Sequence, residues 1–241
     1  MSLTGKVALV TGGGRGIGRA AATALAQKNA SVAVLSRTPG QIEEVAQAIQ
    51  ATGQRAIAIA CDVADEYQVM SAFGQVEQRL GPVDIVVNNA GVLKLRPLAD
   101  MELAEWDETI RINLTGAFLV ARQALRVMQG RGGSIINVGS LAGRRGYEAQ
   151  GAYAASKHGL AGLTKVLALE GQPHNIRVNL VSPGGVLTDL SSQLRQSRSA
   201  DPSQWMTPEE VADAIVFCAT QSGVAITDEI VLRRFQSEPW R

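Results

Sequence analysis

Short runs of β-branched residues alternate with longer amphipathic stretches along almost the whole chain, and no other feature restricts its fold as much. The strand-like runs are residues 7–10, 31–35, 56–60, 84–87, 134–138 and 177–181, with a last one near 226–232. Between them lie stretches of helical period: 16–27, 41–51, 67–79, 105–128, 152–169 and 208–219. The early runs are apolar on both faces instead of alternating, which predicts a parallel sheet covered on both sides. Repeated strand–helix–strand order predicts a doubly wound α/β fold, a single domain over residues 1–241. A chain of 241 residues buries roughly 70–75% of its unfolded surface, enough for a core without disulfides or metals. Only 4% of residues are aromatic, so Ala, Val, Ile and Leu must fill that core.

The formal net charge is +1 and no block of Lys or Arg stands out, so neither a nucleic acid nor a membrane surface is an expected partner. Cys61 and Cys218 sit inside apolar runs, which suits buried reduced thiols. There is no signal-peptide pattern and no apolar run of membrane-spanning length. The expectation is a soluble, cytoplasmic protein. His158, His174 and the two cysteines are too scattered for a zinc site, so no metal is expected. Residues 185–207 are the least regular and read as either a lid or a plain surface loop.

Thr11-Gly12-Gly13-Gly14-Arg15-Gly16-Ile17-Gly18 follows the first strand-like run and opens a helical pattern. In that position the glycines let a pyrophosphate approach backbone N–H groups at a helix N-terminus. A tight structural turn is the plainer alternative. A site for NAD usually places an acidic residue about 20 residues further on, to bind the ribose 2′-hydroxyl. Here the second strand-like run ends in Leu35-Ser36-Arg37, with no carboxylate. Ser36 and Arg37, with Arg15 from the loop, suit a 2′-phosphate, so NADP (NADPH) is the expected cofactor. Solvated arginines are the bland alternative.

Tyr153 and Lys157 stand four apart at the start of a helical stretch, so they share a face. A neighbouring ammonium lowers a phenol's pKa, and the pair can exchange a proton with a carbonyl or alcohol oxygen. Ser140 falls just after the fifth strand-like run, at the sheet edge where ligands of open parallel sheets bind. It can hold a substrate oxygen, or simply cap the loop that follows. Trp106, Trp205 and Trp240 are candidate substrate contacts, Trp205 foremost because of its place in the irregular segment.

Taken together, these segments resemble the short-chain dehydrogenase/reductase superfamily, and the resemblance extends to about Thr220. It rests on the glycine loop, on Cys61-Asp62-Val63, on Asn88-Asn89-Ala90-Gly91, on Asn113, on Tyr153-Ala-Ala-Ser-Lys157 and on Ser182-Pro183-Gly184. The resemblance implies a Rossmann-type, seven-stranded sheet with helices on both faces. It also implies hydride exchange with a carbonyl or secondary alcohol. Tyr153 would be the general acid/base. Lys157 would lower its pKa and bind nicotinamide-ribose hydroxyls. Ser140 would orient the carbonyl, and Asn113 would distort its helix and hold a water in a proton relay. Cofactor contacts are implied for Gly12, Gly14, Arg15, Gly16, Ile17, Gly18, Ser36, Arg37, Asp62, Val63, Asn89, Ala90, Gly91, Tyr153, Lys157, Pro183, Gly184, Val186 and Thr188.

The resemblance further implies a homodimer or homotetramer acting on a small-molecule carbonyl or alcohol. Two other functions remain open at this level. One is 3-oxoacyl-(acyl-carrier-protein) reductase, with Arg122, Arg126, Arg131, Arg144 and Arg145 as a basic surface for the carrier. The other is a dinucleotide-binding regulator without catalysis.

Overall fold

In the computed structural model, which describes residues 1–197 and 201–238, seven strands run parallel in one sheet. The strands are β1 Val7–Thr11, β2 Ser31–Ser36, β3 Ala56–Ala60, β4 Ile85–Asn88, β5 Gly133–Val138, β6 Ile176–Pro183 and β7 Glu229–Leu232. Their order is β3-β2-β1-β4-β5-β6-β7. The chain winds outward from β1 to β3, then returns to lay β4 on the other side of β1. This reversal opens a crevice at the C-terminal ends of β1 and β4, where such sheets bind ligands.

The helices are α1 Gly16–Gln27, α2 Pro39–Gln50, α3 Glu66–Leu80, α4 Leu103–Ile110, α5 Ala117–Met128, α6 Gly151–Gly171, α7 Ser192–Ser197 and α8 Pro208–Thr220. The sheet is apolar on both faces, as its sequence predicts. In β1, Ala8 and Val10 join α1, α2 and α8 in one core layer, while Val7 and Leu9 join α3 and α5 in the other. Burying a Leu9-sized side chain contributes roughly 1.5–3 kcal/mol. Small residues Ala20, Ala21 and Ala22 let α1 lie close to its neighbours. Local signals set several helix ends. Asp65 accepts from the Gln68 N–H at the start of α3, and Gly81, at φ 111°, ends it. Thr207 and Glu210 cap α8 reciprocally, with Pro208 in its first turn.

Three expectations need correction. The helix read over 105–128 is interrupted: a π-helical turn, Arg111–Gly116, separates α4 from α5. β4 begins at Ile85, one residue later than read; Asp84 joins the strands on either side through its backbone, donating to the Val7 carbonyl and accepting from Ser134 N–H, while its carboxylate accepts from Lys6 Nζ and the Val7 N–H, both at 3.0 Å. The last strand begins at Glu229 and not near Ile226, because the Thr227 carbonyl and hydroxyl are taken by Asn179 and Gln221 side chains. The irregular segment is pinned at its base, where Leu187 donates to the Met206 carbonyl and Met206 to Gly185. Residues 198–200 of that segment, and Trp240, lie outside the described residues. Among the described residues no helix is long and apolar enough to cross a membrane.

Candidate active site

The glycine loop links β1 to α1 and takes the shape that its composition predicts. Gly12 and Gly16 have φ of 63° and 52°, a region costly for other residues. A Cβ on Gly12 would sit 2.9 Å from the Ala90 Cα, so the loop lies directly against the end of β4. The Asn89 side chain ties the two together, donating to the carbonyls of Thr11 and Gly12 at 3.0 and 3.2 Å. The Thr11 hydroxyl completes the tie by accepting from the N–H groups of Asn89 and Ala90. Thr11 heads the motif, but only the fold reveals this bracing role. At the first residue of α1 no side chain caps the helix, and its first turn holds no acid. The free N–H groups therefore face the crevice with a partial positive charge.

The crevice has two connected halves, of about 240 and 220 Å³. Each is smaller than the roughly 300–1,000 Å³ usual for a ligand site, but joined they fall within it. Ile17, Asn89, Gly91, Thr188 and Leu190 line both halves. The first half gathers Gly12, Gly14, Arg15, Gly16, Ser36, Arg37, Asp62, Val63 and Ala90. Arg15 and Arg37 thus share one wall, and Arg15 also reaches Asp189 at 3.3 Å. Asp62 accepts from the Ala64 N–H at 3.0 Å and meets Arg111 at 3.3 Å. Gly18 is not on the wall. It packs on the loop from behind, where a Cβ would lie 2.2 Å from the Gly12 carbonyl oxygen. Cys61 lines this half, and burial pushes its thiol up to about 11, so it is an inert wall residue.

Ser140, Tyr153 and Lys157 converge in the second half, with Pro183, Gly184 and Val186. β5 places Ser140, whose hydroxyl caps the following turn by accepting from Ala142 N–H at 3.1 Å, so the capping alternative holds as well. The same side chain lies beside Tyr153 and favours its ionised form. Burial pushes the Tyr153 phenol above the ordinary tyrosine range, and Ser140 opposes this only in part. The lowering expected from Lys157 is absent for a geometric reason. Lys157 Nζ lies 5.7 Å from the centre of the Tyr153 ring and donates to the Val138 carbonyl at 2.8 Å. Burial pushes the Lys157 ammonium down to about 8.

Asn113 does not reach the crevice wall. Its buried amide accepts from Val92 N–H at 2.8 Å and donates to the Val92 carbonyl at 2.9 Å and to Ser156 Oγ at 3.1 Å. The π-helical turn is what lets it turn inward, so the expected distortion is present. Its partners make it a brace between the segment after β4 and α6. A second brace was not legible beforehand: Asn88 donates to Asn137, and Asn137 to Thr164, all three buried.

The second half also holds groups that sequence reasoning did not assign to it: Leu141, Arg145, Tyr147 and, from beyond β7, Arg234. Trp205 lines it as well, whereas Trp106 sits on α4 away from it. His158 is exposed and, among the described residues, bonds only the Ala154 carbonyl of its own helix. Three of the five arginines read as a carrier-binding surface are engaged within the chain. Arg122 pairs with Glu66, Arg144 lies 3.8 Å from Glu229, and Arg131 donates to the carbonyls of Val83 and Val127.

Comparison with known proteins agrees with this geometry. The family model for short chain dehydrogenases matches residues 6–199. The chain is a short-chain dehydrogenase/reductase. It therefore belongs with oxidoreductases that use a nicotinamide dinucleotide to interconvert carbonyl and alcohol. It is 40% identical over 216 residues to carbonyl reductase family member 4 of Xenopus laevis, covering 88% of this chain and 90% of that protein. It is 36% identical over 239 residues to 3-oxoacyl-[acyl-carrier-protein] reductase FabG of Aquifex aeolicus, covering 96% of each. The crystallised alcohol dehydrogenase of Thermococcus sibiricus, complexed with 5-hydroxy-NADP, superposes with a TM-score of 0.89 at 27% identity, covering 97% of this chain and 98% of that one. The short-chain dehydrogenase/reductase described here shares that protein's fold.

Proposed function

We propose that this chain is an NADPH-dependent carbonyl reductase, with Tyr153 as the general acid and Ser140 as the group that holds the carbonyl oxygen. The observation that carries this reading is the meeting of Tyr153, Ser140 and Lys157 in a crevice continuous with the glycine loop. The residues present fit a dinucleotide. The uncapped N-terminus of α1 and the bare backbone of Gly12, Gly14 and Gly16 suit a pyrophosphate. Asp62 and Val63 stand at the adenine end, with Asn89, Ala90 and Gly91 along the middle. Pro183, Gly184, Val186 and Thr188 stand at the nicotinamide end. When bound, the cofactor supplies the hydride that reduces the carbonyl carbon.

The chain's own work is proton supply and positioning. Tyr153, kept protonated by burial, gives its proton to the substrate oxygen as negative charge builds there. The Ser140 hydroxyl donates to the same oxygen and stabilises that charge. Lys157 would hold the ribose hydroxyls of a bound dinucleotide and supply a positive charge beside Tyr153. Asn113 positions these groups through Ser156, whose hydroxyl donates to the Tyr153 carbonyl at 2.7 Å. Arg15 and Arg37 favour a 2′-phosphate, and no carboxylate stands at the end of β2 to favour NAD.

The internal engagement of Arg122, Arg131 and Arg144 favours a free small carbonyl over a carrier-bound one. Exposed apolar side chains on α5 and α6, Phe118, Val166 and Leu169, support a homo-oligomer built on those helices. Two buried free thiols, Cys61 and Cys218, suit a cytoplasmic setting. The test is a panel of ketones and aldehydes followed by NADPH absorbance, with NADH in parallel. NADPH is consumed at least tenfold more efficiently, and Tyr153→Phe lowers turnover by about 10²–10⁴-fold. Turnover left undiminished by Tyr153→Phe, or equal use of NADH, refutes the corresponding half of the reading.

A further inference from the structure

The second half of the crevice is cationic beyond what proton transfer requires. Arg145 and Arg234 line it together with Lys157, and no Asp or Glu lines it among the described residues. Neither guanidinium has a carboxylate partner among those residues. Arg145 instead lies 5.0 Å over the Tyr147 ring and donates from Nε to its hydroxyl at 2.8 Å. Arg234 lies 5.2 Å over the Trp205 ring, with Arg195 at 5.9 Å from the same ring. Stacking holds each guanidinium in place without neutralising it, leaving forked N–H donors for an anion.

Trp205 is 7% exposed, and its buried indole N–H has no hydrogen-bond partner among the described residues. Such orphaned donors are rare and call for an explanation. The position of Arg234 is built, because β7 pairs in register with β6 up to Leu232, two residues before it. Gathering three cations around one cavity without an acid is repulsive unless an anion is bound.

Resting on the reductase reading above, we propose that the substrate is an oxo acid: a small carbonyl compound whose carboxylate is held by Arg145 and Arg234 while its ketone faces Tyr153. A planar two-oxygen acceptor matches guanidinium forks. In the reaction the carbonyl carbon gains the hydride, its oxygen gains the Tyr153 proton, NADPH becomes NADP, and the carboxylate leaves unchanged as part of a hydroxy acid.

The experiment compares kcat/KM for a short oxo acid and for its methyl ester, using NADPH and the intact protein, then repeats both with Arg145→Gln and Arg234→Gln. The acid is preferred at least tenfold, and each substitution lowers the acid-to-ester ratio tenfold or more, mainly through KM. An ester used as well as the acid, or substitutions that slow both equally, overturns the proposal. Calorimetry with benzoate and benzamide separates this failure from failure of the reductase reading. Benzoate binding that disappears in both variants supports the anion site even if no carbonyl is reduced. Reduction of neutral ketones without selective benzoate binding leaves the reductase and removes the oxo acid.

Discussion

The Lys157 ammonium lies over the face of the Tyr153 ring, 5.7 Å from its centre, and spends its hydrogen bond on the Val138 carbonyl. The phenol therefore feels burial more than it feels the cation, and its pKa is raised. It is in its acid form throughout neutral pH. Reduction should accordingly hold steady through neutrality and decline only as alkaline pH removes the phenolic proton. Oxidation of the alcohol, which needs the phenolate, should rise over the same range. Tyr153→Phe should cost about 10²–10⁴-fold in kcat. Rate profiles in both directions check the signs, and reduction that climbs with pH would contradict the assignment.

Lys157 carries a stability consequence. Its folded pKa is depressed, from 10.5 to about 8. Below about pH 8 the folded chain bears the full penalty of a buried ammonium, and the unfolded chain does not. Between pH 8 and 10.5 the unfolded state binds the extra proton, so stability rises with pH. Lys157→Met should remove a penalty on the order of 3 kcal/mol at pH 7, less about 1 kcal/mol for the Val138 carbonyl left without its donor. The gain should vanish by about pH 10.5. Urea unfolding of the cofactor-free protein at both pH values measures this. A larger gain at alkaline pH would reverse the sign.

Cofactor choice should respond to charge at Arg37. Losing one charged hydrogen bond to a 2′-phosphate costs about 1.5–3 kcal/mol, or roughly 10–100-fold in NADPH affinity. Arg37→Asp adds repulsion to that loss and supplies an acceptor for a ribose hydroxyl, so the preference should turn toward NADH. Dissociation constants for both cofactors decide it, and an unchanged ratio would place the 2′-phosphate elsewhere.

Gly18 and Gly74 should behave oppositely when changed to Ala. At Gly18 the new Cβ meets the Gly12 carbonyl at 2.2 Å, a backbone atom that cannot step aside. Gly18→Ala should destabilise by about 1–3 kcal/mol and weaken cofactor binding. Nothing lies within 4 Å of a Cβ at Gly74, in the exposed middle of α3. Gly74→Ala should stabilise by about 0.5–1 kcal/mol. Thermal unfolding of the two variants provides the comparison.

The buried chain Asn88–Asn137–Thr164 joins β4 and β5 to α6, the helix that carries Tyr153 and Lys157. Asn137→Ala leaves Asn88 and Thr164 without that partner, a cost of about 1–3 kcal/mol. Because α6 is then less firmly seated, kcat should fall more than KM rises. A stable variant with unchanged kcat would show that the brace serves neither folding nor catalysis.

Periodicity and local spacing determined much of this protein. Two-sided apolar runs specified a covered parallel sheet, and the glycine loop between Val10 and Ala20 specified a phosphate-binding turn, since both are set within about ten residues. The order of the motifs also named the family, and with it Ser140, Tyr153 and Lys157. Tertiary structure alone decided where those groups point. Nothing local tells that Lys157 reaches back to Val138, or that Asn113 breaks its helix to grip Val92, 21 residues away. Arg145 and Arg234 are separated by most of the second half of the chain, and only the pairing of β7 with β6 brings them to one cavity with Trp205. Such meetings depend on how whole elements pack, and no window of sequence contains that information.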